Sequence, residues 1–195
     1  MDSTKINEII EDLRQCLDAE RFEHTLGVAD MCVILAESYG CDKDKAYLAG
    51  LLHDCAKCLP KEELLSLIKE NADVLHIEEC EYINPKTFHA PAGAIIASRR
   101  YQISDVEILN SIRWHTLGKV DMSLLEKIVY LADKIEHRTR PESCRKPIED
   151  ALVENGLDAA ILQTYKATIK SLVDRDLAIC CQTIDVYNNL LRQFK

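Results

Sequence analysis

Apolar residues recur along this chain at intervals of three and four, and almost nowhere alternate with polar ones. That period predicts helices. A first amphipathic helix is expected over 5–17, where Ile6, Ile9, Ile10, Leu13 and Leu17 share one side. A second runs over 20–39 and stops at Gly40, a residue suited to a left-handed cap. A third is expected to start after Asp42, an N-cap, and to reach Cys58 ahead of Pro60. Further helices are predicted over 61–71, 91–100, 105–114, 123–138, 156–173 and 183–194, with a loop carrying a short helix over 73–88. No repeat, low-complexity tract or linker interrupts them. The expectation is one all-α domain over 1–195, with a core at about 20–140 and C-terminal helices at 144–195 packed on it.

Composition narrows the function classes. The formal net charge is −9, so a general nucleic-acid binder is not expected, because the phosphate backbone would be repelled. No apolar run approaches the roughly 20 residues of a membrane span. The polar N-terminus lacks the apolar core of an export signal. Nine cysteines at irregular spacing make a poor disulfide framework and read as reduced thiols. A cytoplasmic protein is expected, and its C-terminal helix could pack internally or across a homodimer.

Candidate chemistry gathers at the histidines. At about 100° per residue, Leu48, Leu51, Leu52 and Cys55 of the third helix form an apolar arc. Ala46, Gly50, His53, Asp54 and Lys57 form another. Small residues below a His-Asp pair suit close approach by a helix or ligand. His24 shares an arc with Val28, Met31 and Leu35, so its imidazole needs a partner, because an unpaired buried polar group costs a few kcal/mol. Asp54 and a metal ion are the candidates. Asp133 falls off the stripe of Leu124, Ile128, Leu131 and Ile135, and by projection alone is a surface residue.

His24, the pair His53-Asp54 and the distal Asp133 match the signature of the HD-domain metal-dependent phosphohydrolases. The match extends through Arg21-Phe-Glu-His24-Thr25-Leu-Gly27, Leu52-His53-Asp54-Cys-Ala-Lys57, Phe88-His89-Ala90-Pro91-Ala92-Gly93, Ile112-Arg113-Trp114-His115-Thr116 and Ala132-Asp133-Lys134-Ile135-Glu136. In order and spacing these segments resemble the YqeK family, similar to symmetrical dinucleoside tetraphosphatases that split diadenosine tetraphosphate into two ADP and use iron. The resemblance is strong over 20–140 and weak as far as Tyr187-Asn188.

It implies an HD-domain helical bundle with His24, His53, Asp54 and Asp133 as metal ligands. Such ligands suit Fe, Mn or Zn and disfavour Ca or Mg. The bound ion would acidify a water and polarise a phosphoryl group, and Asp54 would orient or deprotonate that water. His89 and His115 would either hold a second metal or donate to substrate phosphates. Lys57 and Arg21 would neutralise phosphate charge. Two departures stand out. The family's Glu-Pro-x-Arg reads Glu136-His137-Arg138-Thr139-Arg140, so Arg138 or Arg140 is expected to replace the missing arginine. A C-terminal proline is replaced by Cys181, with Thr183 nearby as a candidate nucleotide contact. The alternatives are a nucleotide phosphatase or phosphodiesterase linked to NAD metabolism, and a non-catalytic nucleotide sensor.

Simpler readings cover the rest. Cys55-Ala-Lys-Cys58 has no second pair for a zinc site and reads as core packing. Cys180-Cys181 reads as incidental. Trp114 reads as core, with purine stacking as the functional alternative.

Overall fold

Eleven α-helices and two 3-10 turns, with no strand among the described residues, make up the computed structural model, which describes residues 3–194. Met1 and Asp2, the start of the polar N-terminus, and Lys195 lie outside them. The helices are α1 (Ser3–Cys16), α2 (Ala19–Tyr39), α3 (Lys43–Leu52), α4 (Lys61–Glu70), α5 (Ala72–Leu75), α6 (His89–Arg99), α7 (Val106–Trp114), α8 (Leu124–Ile135), α9 (Glu142–Asn155), α10 (Leu157–Asp174) and α11 (Cys181–Gln193).

Local chemistry sets most ends. Asp18 accepts from the Arg21 backbone N–H to start α2, and Gly40 closes it at φ 72°. Asp42 accepts from the backbone N–H groups of Asp44 and Lys45 at the start of α3. Ser123 and Glu126 form a reciprocal capping box on α8. The 3-10 turns, Glu79–Ile83 and Pro85–Thr87, occupy the segment expected to be a loop.

Helix α8 lies at the centre, with α2, α3, α7, α9 and α10 packed around it. Leu48, Leu51, Ile112, Ile128, Leu131 and Ile161 are fully buried there. The α2–α3 approach is closest at Gly50, where a Cβ would stand 2.8 Å from Cys32 Sγ and 2.9 Å from Ala29 Cα. That fits the close approach expected of the small-residue arc. A smaller cluster of Ala56, Leu64, Ile68, Phe88 and Ala92 seats α4 on α6.

Three expectations need correction. Helix α3 ends at Leu52, and 53–58 form tight turns, with the Cys55 N–H on Leu52 O and the Lys57 N–H on Asp54 O. The arc projected through Asp54 and Lys57 is therefore not a helix face. Helix α6 begins at His89, two residues before the expected start. Helix α9 was not resolved as an element by periodicity, since it buries only Ile148 and carries Pro147 inside.

Candidate active site

Four helices and one turn bring six titratable side chains together. His24 comes from α2, His53 and Asp54 from the turn after α3, His89 from the start of α6, His115 from the end of α7 and Asp133 from α8. All six are at most 6% exposed. The imidazoles form a continuous row, with centroids 5.3 Å apart for His24–His53, 5.0 Å for His53–His115 and 5.1 Å for His89–His115. Asp133 lies inside this group rather than at the surface, because α8 packs against α2 and α3 as well as α7 and α10.

Hydrogen bonds on the far side of each ring determine which nitrogen faces inward. His53 Nδ1 donates to Gly50 O at 2.7 Å, and His115 Nδ1 donates to Ile112 O at 2.7 Å. A carbonyl only accepts, so both rings turn an Nε2 lone pair inward. His24 Nδ1 donates to Glu136 Oε1 at 3.1 Å, leaving its Nε2 lone pair 3.0 Å from Asp133 Oδ1. His24 Nε2 and His53 Nε2 are buried without a hydrogen-bond partner. With His115 Nε2 an acceptor, His89 Nε2 is the donor, 3.1 Å from His115 Nε2 and 3.2 Å from Asp54 Oδ1.

Lone pairs facing carboxylates across such gaps lack a positive charge between them. The donor atoms of His24, His53 and Asp133 lie within 4.8 Å of one another, as do those of His53, Asp54 and His115. A hard-to-borderline divalent cation fits both sets, and hydrogen bonds from the outer ring nitrogen, like those to Gly50 O, Ile112 O and Glu136, orient metal-ligating histidines.

Electrostatics agree. Burial alone would raise the Asp54 pKa, but the surrounding imidazoles, His53 first and then His115 and His89, hold it well below the usual carboxylate range. Asp133 is likewise held low against burial by Lys134, His24 and Arg140. Burial opposes charge on His53, yet Asp54 and Asp133 outweigh it and raise its pKa. Burial pushes His115 down to about 4, against the pull of Asp54, and lowers His89 in the same way. Both are neutral near pH 7.

Cations border this centre. Arg21 Nη1 donates to Asp54 Oδ2 at 2.9 Å, and Arg140 Nη2 donates to Asp133 Oδ1 at 2.7 Å. Both line a cavity of about 330 Å³ that reaches His24, together with Asp18, Glu20 and Thr139. Lys57 is half-buried; burial lowers its pKa, partly offset by Asp54.

Two expected contacts do not join this group. Arg138 points to the outer side of α2, donating to Glu23 at 2.9 Å and Asp30 at 2.7 Å. The backbone leaves the helix at Glu136, ψ 148°, sending Arg138 outward and Arg140 inward. Thr183 is buried in a separate cavity of about 100 Å³ with Thr116, Tyr130 and Tyr165, which shares no lining residue with the one at His24. That volume is below the usual 300–1,000 Å³ of ligand pockets. Trp114 is half-buried, with the Arg113 guanidinium 3.9 Å above its ring. Cys55 is buried and donates to Gly93 O at 3.5 Å, in keeping with core packing.

Sequence reasoning gave Glu136 no role. It accepts from His24, from the Thr139 hydroxyl and from the backbone N–H groups of 138–140. An acidic residue directly after Ile135, the last apolar position of the α8 stripe, is the signal the sequence offers. Gly27 is needed opposite it, since a Cβ there would collide with the Glu136 carboxylate.

Comparison with known proteins gives a consistent picture. The HD domain family model matches residues 21–138. The chain is 36% identical to a protein of Bacillus subtilis named bis(5'-nucleosyl)-tetraphosphatase, symmetrical, covering 94% of this chain and 96% of that one. It is also 36% identical to a protein of that name from Halalkalibacterium halodurans, over 92% of this chain and 93% of the relative. Among solved structures, a predicted HD superfamily hydrolase involved in NAD metabolism from Clostridium acetobutylicum matches with a TM-score of 0.89 and 36% identity. That match covers 96% of this chain and 97% of the other.

Proposed function

The chain belongs to the HD-domain family and, within it, to that of the symmetrical bis(5'-nucleosyl)-tetraphosphatases, and from that membership we propose that it hydrolyses diadenosine tetraphosphate to two ADP. The observation that carries the phosphate part is the cavity at His24, flanked by the Arg21 and Arg140 guanidiniums. Planar guanidiniums match phosphate oxygens in pairs. They also explain how a chain of net charge −9 takes a polyanion, because the local field decides.

His24, His53, Asp54 and Asp133 would hold a divalent ion, with iron as the proposed metal and manganese as the substitute. The two donor triads share His53, whose one free Nε2 lone pair serves a single ion, so a second ion would rest on Asp54 and His115 without it. When bound, such ions supply an acidified water and polarise a phosphoryl oxygen. The remaining work belongs to the chain. Arg21 and Arg140 grip the polyphosphate and align its central bridge. Asp54 orients the attacking water by accepting its hydrogen bond; a carboxylate held so low is a better aligner than proton store. His89, neutral and an Nε2 donor, hydrogen-bonds a phosphate oxygen, and Lys57 balances the charge that develops on it. Water adds to one phosphorus beside the central bridging oxygen, that P–O bond breaks, and each half leaves as ADP.

The test is a product assay on protein reconstituted anaerobically with Fe(II), and separately with Mn(II), with AMP, dAMP and NAD run beside diadenosine tetraphosphate. ADP as sole product is expected. ATP plus AMP, or phosphate released from AMP, would overturn symmetrical cleavage.

A further inference from the structure

A cluster of three thiols lies outside the hydrolytic site. Cys80 sits in the 3-10 turn Glu79–Ile83, Cys180 is the N-cap of α11 and Cys181 is its first residue. Their sulfurs lie within 4.8 Å of one another, with Cys180 Sγ 3.0 Å from Cys80 Sγ. Sulfurs bound at about 2.3 Å to one tetrahedral ion stand about 3.8 Å apart, within about 1 Å of the spacings here. Glu78 Oε2 lies 3.9 Å from Cys80 Sγ and offers a fourth donor. A cavity of about 660 Å³ opens onto Cys80 and Cys181 and is lined also by Glu78 and Glu79. Its two carboxylates favour entry of cations over anions.

We propose that Cys80, Cys180 and Cys181 form a thiolate site for a thiophilic divalent ion such as Zn2+, with Glu78 or water in the fourth position. Each thiol gives its proton to solvent as the ion binds. Burial pushes the Cys180 thiol up to about 12. Burial also acts to raise Cys80, but the thiols of Cys180 and Cys181 and the backbone N–H groups of Gln182 and Cys181 bring it below the usual thiol value. One sulfur is thus set up to lose its proton first. The bound ion ties the start of α11 to a turn a hundred residues earlier in the chain.

The probe is Co2+ added to the reduced, metal-free full-length protein. Cobalt on thiolates gives a near-ultraviolet charge-transfer band that His/Asp ligation does not, so the hydrolytic site is silent in this readout. We expect a band that saturates with one ion, disappears in Cys80→Ser and weakens in Cys181→Ser, whose exposed side chain spares the fold. It should persist in His53→Ala and in Cys144→Ser, and be displaced by Zn2+. Absence of the band, its survival in Cys80→Ser, or a Cys80–Cys180 disulfide forming despite excess Zn2+ would overturn the assignment.

Discussion

Two buried basic residues stand two positions apart at the C-terminal end of α7, and their surroundings are opposite in kind. Arg113 donates to both Glu81 oxygens, at 2.7 and 2.6 Å, and its Nε reaches Leu75 O at 3.4 Å. The His115 Nε2 lone pair meets only the Nε2–H of His89, at 3.1 Å, and stands 3.5 Å from Asp54. The first group is satisfied by the chain itself and ties α7 to the turn at Glu79–Ile83. The second belongs to a cluster with unmet valence at His24 Nε2 and His53 Nε2. A buried charge that finds its partner internally belongs to the architecture; one left facing another acceptor marks where something from outside belongs.

Variants can break that distinction. Asp54→Ala should abolish metal binding and turnover together, by elemental analysis and product assay, with the helical circular dichroism kept; turnover that survives metal loss would remove the contrast. Arg113→Ala should cost about 3–5 kcal/mol in urea unfolding, since it strands the Glu81 carboxylate, while metal content per folded chain stays unchanged. An unchanged midpoint would mean this pair does not hold the fold. Glu136→Gln sharpens the comparison at the acceptor behind His24: metal affinity should fall about 10- to 100-fold, read by competition with a chelator, and equal affinity would deny Glu136 its orienting role.

Lys57→Ala is the mildest. It should raise KM about tenfold with metal content intact; loss of metal instead would make Lys57 a support of the fold. Burial lowers its pKa, so the ammonium is present at neutral pH and is lost as pH rises, earlier than for an ordinary lysine. KM should therefore climb on the alkaline side in the parent protein and stay level in Lys57→Ala. The same climb in both would assign it to another group.

Helix periodicity was legible because most helices bury one stripe and solvate the rest, as α1 does through Ile9 and Leu13. The same projection misplaced Asp133, for a two-faced wheel assumes one buried stripe, and α8 packs against five other helices. It failed again past Leu52, where turns rather than a helix carry Asp54 and Lys57. Local turn chemistry likewise decided between Arg138 and Arg140, which differ only in where the backbone bends. The thiol cluster left no local trace, because Cys80 and Cys180 meet across a hundred residues. What the linear pattern did carry was the order of histidines and aspartates, since each sits in a short segment with its own neighbours in sequence.

The anchoring of the imidazoles also bears on how this protein can change over evolutionary time. His53 and His115 give their outer protons to main-chain carbonyls of Gly50 and Ile112, acceptors that every amino acid supplies. No single codon change at those two anchor positions can delete the acceptor, although a bulkier residue at 50 could shift it. His24 relies on the Glu136 side chain, and Glu136 in turn needs a bare position at Gly27. The heritable fragility of the orienting shell is thus concentrated in one coupled pair, Gly27 and Glu136, where drift at either residue would be felt first at His24.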